Sequence, residues 1–181
     1  ILLRLLRDSD LHVVYSAAVG LGHRGDPRAI PDLVPLAKHP DALVRYGVVH
    51  GLSGHDDPAA IATLIELTTD KDTDVRNWAL FGIGSQTELD TPAIREALIV
   101  GLSETDMEAR GEALVGLATR GDERVIDALL KEWEVKDEIS ILSIEAAEQI
   151  ADRRLLPFLE TFEATHEFAG DDYFHQQLLA A

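Results

Sequence analysis

A six-residue phrase recurs along this chain at intervals of 30 to 33 positions, and that period restricts the fold more than any other feature of the sequence. Gly25-Asp26-Pro27-Arg28-Ala29-Ile30 is echoed by Asp56-Asp57-Pro58-Ala59-Ala60-Ile61. Worn copies follow at Leu89-Asp90-Thr91-Pro92-Ala93-Ile94, Gly121-Asp122-Glu123-Arg124-Val125-Ile126 and Ala151-Asp152-Arg153-Arg154-Leu155-Leu156. Between them lies a second phrase with the same spacing: Asp41-Ala42-Leu43-Val44-Arg45, Asp72-Thr73-Asp74-Val75-Arg76 and Asp106-Met107-Glu108-Ala109-Arg110, with a degenerate first copy at Asp10-Leu11-His12-Val13-Val14. Downstream of it, Gly20, Gly51, Gly82 and Gly116 form one column, and Leu21, Leu52, Ile83 and Leu117 form the next. Two phrases per period, each opening an apolar run, imply two helices per repeat.

The boundary chemistry agrees. Asp26 and Asp57 stand where a side chain must accept from free backbone amides, and Pro27 and Pro58 follow at the first helical position, where a missing N–H costs nothing. Thr91 and Pro92 repeat the arrangement, Asp41 and Asp72 open other helices, and Thr105-Asp106-Met107-Glu108 matches a capping box. No alternating run suggests a strand. First helices are therefore predicted near 27–38, 58–69, 92–103, 123–134 and 154–165, and second helices near 11–22, 42–53, 73–84, 107–118 and 138–150. The expected fold is all-α, a right-handed α-α superhelix of about five helix pairs forming one solenoid domain over 1–181. Residues 1–7 are read as the remnant of an earlier helix, 8–165 as repeats, and 166–181 as a C-terminal cap with Phe174 and Leu178 on one face of a short helix at 171–180.

Composition narrows the function. Without cysteine the chain has no disulfide, thiolate metal site or cysteine nucleophile. Thirty-three acidic against sixteen basic residues give a net charge of -17, a field that repels phosphate backbones, so nucleic acid is excluded; the charge reads first as a device for solubility and second as attraction to a basic protein partner. No stretch approaches the roughly 18 apolar residues of a membrane span, and Arg4 interrupts the apolar start. A cytoplasmic location is expected. The chain begins at Ile1 rather than at an initiator Met, so upstream residues are expected to be missing.

Asp-x-x-Val-Arg ahead of an Ala- and Gly-rich helix, followed by Gly25-Asp26-Pro27-Arg28-Ala29-Ile30-Pro31, resembles the HEAT-like repeats first associated with phycobilisome lyases, over residues 8 to about 165. Val75-Arg76-Asn77-Trp78-Ala79-Leu80-Phe81 is similar to a stretch of bacterial HEAT proteins. The resemblance implies a non-catalytic scaffold that holds a protein on its concave face, as an adaptor or an acidic immunity-type protein. Its alternative is an accessory subunit of an enzyme such as a bilin lyase, or a chaperone-like maturation factor. Arg110-Gly111-Glu112-Ala113 resembles the Arg-His-Glu-Ala ligand phrase of the di-iron deoxyhypusine hydroxylases, but Gly111 stands at the histidine, and Tyr46-Gly47 and Asn77-Trp78 fill the matching slots of other repeats. Histidines 12, 23, 39, 50, 55, 166 and 175 never form His-Glu-x-x-His. Neither cofactor nor metal is expected.

Other motifs have structural readings. Gly51-Leu52-Ser53-Gly54-His55 lacks the final glycine of a nucleophile elbow and ends a helix instead of starting one. The acidic runs 70–74 and 104–108 lie at helix starts, where carboxylates cap amides. Arg45, Arg76 and Arg110 are expected to bond aspartates of adjoining turns, with Asp41, Asp72 and Asp106 available. At 100° per residue Val44, Val48, Gly51 and Leu52 share the packed arc of their helix while Tyr46 and His50 point away. By the family's architecture second helices line the concave surface, which would carry columns of Tyr15, Tyr46, Asn77, Gly111 and of Val19, His50, Phe81, Val115, with His12, Leu43, Asp74 and Glu108 as a third. Trp78 falls at the edge of the packed arc. Tyr15, Tyr46, His50, Asn77, Trp78 and Phe81 are the predicted partner-binding residues.

Overall fold

A computed structural model describes residues 1–135 and 139–165, so the C-terminal cap expected over 166–181, with His166 and His175, lies outside the described residues. Within them all regular structure is helical. The helices are α1 (Leu2–Leu5), α2 (Leu11–Gly22), α3 (Ile30–Leu33), α4 (Ala42–Leu52), α5 (Pro58–Leu67), α6 (Thr73–Gly84), α7 (Pro92–Gly101), α8 (Met107–Thr119), α9 (Arg124–Val135), α10 (Ile141–Ile150) and α11 (Leu156–Thr165). The chain falls into two compact units, Ile1–Ala97 and Leu98–Ala181.

The helices start where local chemistry requires. Asp10 accepts from the His12 amide at 2.9 Å, Asp41 from Leu43 at 2.9 Å, Asp57 from Ala59 at 2.8 Å and Asp72 from Val75 at 3.2 Å, and Thr91 Oγ1 accepts from Ile94 at 3.3 Å. Asp106, not Thr105, caps α8, taking the Glu108 and Ala109 amides itself, so the capping-box reading is one residue out. Asp26, Asp122 and Asp152 combine the cap with a fork. Each accepts from the amide two residues on and from the guanidinium of that same residue, Arg28, Arg124 or Arg154. The Arg28 side chain, then its amide, draws the Asp26 carboxyl down to about 2.

The one long helix expected near 27–38 does not form. Tight three-residue-per-turn segments at Pro27–Ala29 and Val34–Lys38 flank the single turn of α3. Pro31 and Pro35 remove the amides that would bond carbonyls four residues earlier, and their rings crowd those carbonyls, so the backbone winds more tightly. The other first helices are regular and end within about two residues of the expected positions.

Each unit has its own core. Leu33, Leu52, Leu64, Leu80 and Ile83 are fully buried in the first, and Leu114, Leu117, Ile126, Leu129 and Ile144 in the second. Second helices pack side by side, α2 on α4 and α4 on α6 in the first unit and α8 on α10 in the second. Gly22 is required at one of these crossings, because a Cβ there would strike the His50 carbonyl oxygen. In the second unit Trp133 is buried on α9 and donates from Nε1 to Ser143 Oγ of α10 at 3.1 Å.

The arginine column turns inward. Arg45 Nη1 donates to the His39 carbonyl at 2.8 Å, Arg76 Nη1 to Asp70 O at 2.9 Å and Arg110 Nη1 to Glu104 O at 2.8 Å, in every case the carbonyl six residues upstream. The second helix is thereby pinned to the turn that precedes it. The carboxylate partners differ from those expected, since Asp41, Asp72 and Asp106 are committed to caps. Arg45 forks onto buried Asp70 through Nε at 2.6 Å and Nη2 at 2.7 Å, and Arg110 meets buried Glu132 through Nε at 2.7 Å. Burial alone would push the Asp70 carboxyl up, but the Arg45 fork and the Asp72 amide outweigh it and hold it below the usual carboxylate value. Its contribution to stability is complete above the unfolded carboxylate pKa and is lost as pH falls through the lower folded one.

Turns between repeats use the left-handed region. Gly25, Gly54 and Gly121 adopt positive φ, and at the equivalent place ahead of Asp152 stands Ala151, with φ 48° and ψ 45°. Its Cβ is strained there by roughly 1 to 2 kcal/mol, partly offset because alanine restricts the unfolded chain more than glycine does. Ala151→Gly is therefore expected to stabilise the protein by about 0.5 to 1 kcal/mol in urea unfolding, and a loss of stability would show that the turn is not strained.

Candidate functional site

The second helices of the first unit carry a continuous row of rings. Tyr15 on α2 stacks on Tyr46 of α4 with centroids 5.8 Å apart and planes 7° from parallel. That approach is close because Gly47 lies beneath Tyr15, where an added Cβ would come within 3.1 Å of the tyrosine Cα. Tyr46 and His50, one turn apart on α4, meet edge to face at 4.6 Å. Trp78 of α6 closes on both, at 6.1 Å from Tyr46 and 4.4 Å from His50, and meets Phe81 of its own helix edge-on at 5.4 Å. Geometries of this kind are the favourable ones for ring quadrupoles.

The structure thus brings together Tyr15, Tyr46, His50, Trp78 and Phe81 of the predicted residues, leaving Asn77 half-buried beside Trp78 and outside the ring row. Four of the five are half-buried, packed against neighbouring repeats while one side stays open. Trp78, at the edge of the packed arc on a helical wheel, is the most open, at 36% exposed. A notch of about 240 Å³ lies at the Trp78 end, walled by Val19, His23, His50, Trp78, Phe81 and Gln86. His23 and Gln86 were not expected there. His23 lies four residues beyond Val19, so extending the Val19 column by one helical turn would have found it.

The row does not continue into the second unit as the columns suggested. Gly111 and Val115 are buried, not outward-facing. Leu142 of α10 sits over Gly111, so close that a Cβ on the glycine would lie 2.5 Å from Leu142 Cδ1. In that unit α8 and α10 close over the positions that stay open between α4 and α6.

Burial first, then the Tyr15 hydroxyl and the Asp74 carboxylate, pushes the Tyr46 hydroxyl above its ordinary value, so it remains a donor at any physiological pH. Burial, and then the charge of His23, pulls His50 below the ordinary histidine value, so near neutral pH it is an uncharged ring. No group of three or more His, Asp or Glu side chains among the described residues could hold a metal ion, and no described helix is long and apolar enough to cross a membrane.

A family model of HEAT repeats matches residues 1–84 and 61–151. The chain belongs to the HEAT-repeat family. Protein YibA of Escherichia coli K12 is 40% identical over 88 residues, which make up 47% of this chain and 30% of that relative, so the match spans under a third of the relative's length. The X-ray structure of Escherichia coli YibA superposes with a TM-score of 0.76 at 29% identity, covering 99% of this chain and 66% of that one. Kap121p superposes with a TM-score of 0.75 over 98% of this chain and 22% of its own, and at 17% identity this likeness speaks for the fold alone. HEAT-repeat solenoids are commonly protein-interaction scaffolds.

His50 generates a pH prediction. A histidine whose pKa is lowered by folding leaves stability intact above about 6.5 and erodes it as pH falls below that value, because the unfolded chain takes the proton first. Melting from about pH 7.5 down to about pH 5.5 should depress the melting temperature of the native chain more than that of His50→Gln. Equal slopes would place His50 in solvent.

Proposed function

We propose that this HEAT-repeat chain is a non-catalytic scaffold that docks a basic protein across the aromatic row of α2, α4 and α6. The observation that carries the reading is the row itself: five rings linked by successive contacts across the second helices of three repeats, with Trp78 the most open of them at 36% exposed. Rigid aromatic side chains lose little entropy on binding and dominate the energetics of interfaces. The net charge of -17 selects for a partner of opposite sign, and a lysine or arginine over an indole face gains a further cation–π attraction. Because His50 is neutral, it does not oppose a cation entering the notch between His50, Trp78 and Phe81. A bacterial adaptor or acidic immunity-type role fits this surface, and the narrower kinship to repeats of the phycobilisome-lyase type, resting on the Asp-x-x-Val-Arg phrase, is part of the same proposal.

The test is a pair of measurements on one variant. Trp78→Ala should weaken the complex with the basic partner by about 2 kcal/mol, the scale of a hot spot, in a calorimetric titration. Its unfolding free energy should fall by about 2 kcal/mol, less than the roughly 3 to 5 kcal/mol of a fully buried tryptophan, because about a third of the side chain is already open to solvent. Raising the salt concentration should weaken binding mainly by slowing association. Unchanged affinity together with a large loss of stability would assign the row to packing and leave the proposed surface without support.

A further inference from the structure

The second unit holds a cavity of about 370 Å³, separate from the aromatic row, whose walls combine Leu102, Leu114 and Ala128 with Ser103, Arg110, Lys131 and Glu132. Ser103 and Lys131 are exposed, which puts the mouth on their side, and the Arg110 head group is buried within. That volume lies in the lower part of the range of small-molecule sites, and apolar walls with a few convergent polar groups are their usual composition.

The decisive feature is a buried donor with nothing to bond. Arg110 gives Nε to Glu132 and Nη1 to the Glu104 carbonyl, but its Nη2 is buried without a hydrogen-bond partner. Arg45 shows what the same position looks like when complete: Asp70 takes Nε with one oxygen and Nη2 with the other, at 2.6 and 2.7 Å, while the His39 and Pro40 carbonyls take Nη1. Glu132 supplies only one of those two oxygens. Unmet buried donors are rare in native structures and those on a charged group are the most costly. At the cavity two cations, Arg110 and Lys131, face one carboxylate, Glu132, so the site lacks one negative charge as well as one acceptor.

We propose that this cavity binds an organic monocarboxylate with a short apolar body, its carboxylate accepting from Arg110 Nη2 with Lys131 as counter-charge, and its hydrocarbon against Leu102, Leu114 and Ala128. A single carboxylate supplies both the missing oxygen and the missing charge. The acid of the whole chain does not forbid it, because repulsion from distant carboxylates is screened beyond about 8 Å at physiological ionic strength, whereas a sheltered pair is screened little. The same chemistry is offered by a free branched acid and by the C-terminal carboxylate of a peptide ending in leucine.

Calorimetric titration of the full chain decides it, with 4-methylpentanoate and acetyl-alanyl-leucine as probes and the corresponding amides as neutral controls. At least one acid should bind with a Kd on the order of 1 mM or tighter, and its amide at least tenfold more weakly. Tighter binding of the free acid assigns the site to a metabolite-sized ligand, and tighter binding of the peptide to a chain terminus. Because Arg110 also pins α8, substituting it risks the fold, so the cavity is blocked instead. Ala128→Leu should weaken the acid roughly tenfold or more, and the exposed Lys131→Gln severalfold, with little change in melting temperature. Failure of both acids to bind, equal binding of acid and amide, or full binding by Ala128→Leu overturns the proposal.

Discussion

A chain that doubles back every thirty or so residues must dispose of the carbonyls exposed in the turn between the two helices of each repeat. Here that is done by an arginine from the first turns of the following helix. Arg45, Arg76 and Arg110 each reach the carbonyl six residues upstream, and Arg45 and Arg110 are anchored in addition by buried carboxylates. The planar guanidinium suits the task, because it can satisfy a carbonyl and a carboxylate along different edges at once, which a lysine ammonium cannot do with the same geometry. With the turn fixed, the rotation of the second helix about its axis is fixed too. That rotation decides whether Val44, Val48 and Leu52 face inward and Tyr46 and His50 face out.

From this constraint the two units diverge through small substitutions. In the first, Gly22 and Gly47 let the second helices approach until their backbones nearly touch, and the aromatic side chains are squeezed into a single packed row along the open face. The second unit spends its glycine differently. Gly111 admits Leu142, so the corresponding face is filled by aliphatic side chains, and Arg110, with Glu132 offering one oxygen where Asp70 offers two, is left with a spare donor beside a cavity. One repeat plan thus yields a ring-lined surface in one half and a charged cavity in the other.

Whatever was set by neighbours in sequence could be read from the sequence. The period, the aspartate caps and the inward arc all depend on residues within a turn or two of one another, and they stand where the repeat phrase put them. Arg45 does bond an aspartate of the adjoining turn, but the residue is Asp70, 25 positions away, and none of the three aspartates at the helix starts. Capping had already claimed Asp41, and a rule that commits each carboxylate once would have sent the arginine further. The break at 27–38 was legible in Pro31 and Pro35 but was outvoted by the apolar pattern. Trp78 could not be placed because a helical wheel gives its angle and not the depth of the neighbouring helix. Gly111 and Val115 were carried onto the open face by symmetry with Tyr46 and His50, and only packing of α10 reveals otherwise.

The arginine clamp is most directly tested by a double-mutant cycle on Arg45 and Asp70, measured by urea unfolding followed through backbone circular dichroism. If the fork holds the turn, Arg45→Met and Asp70→Leu should each cost about 3 to 5 kcal/mol, since each strands a buried opposite charge. The double variant should cost well under their sum, with a coupling of about 2 kcal/mol or more. Effects that add to within about 0.5 kcal/mol would mean that the two side chains act independently, and the turn would have to be held by something else.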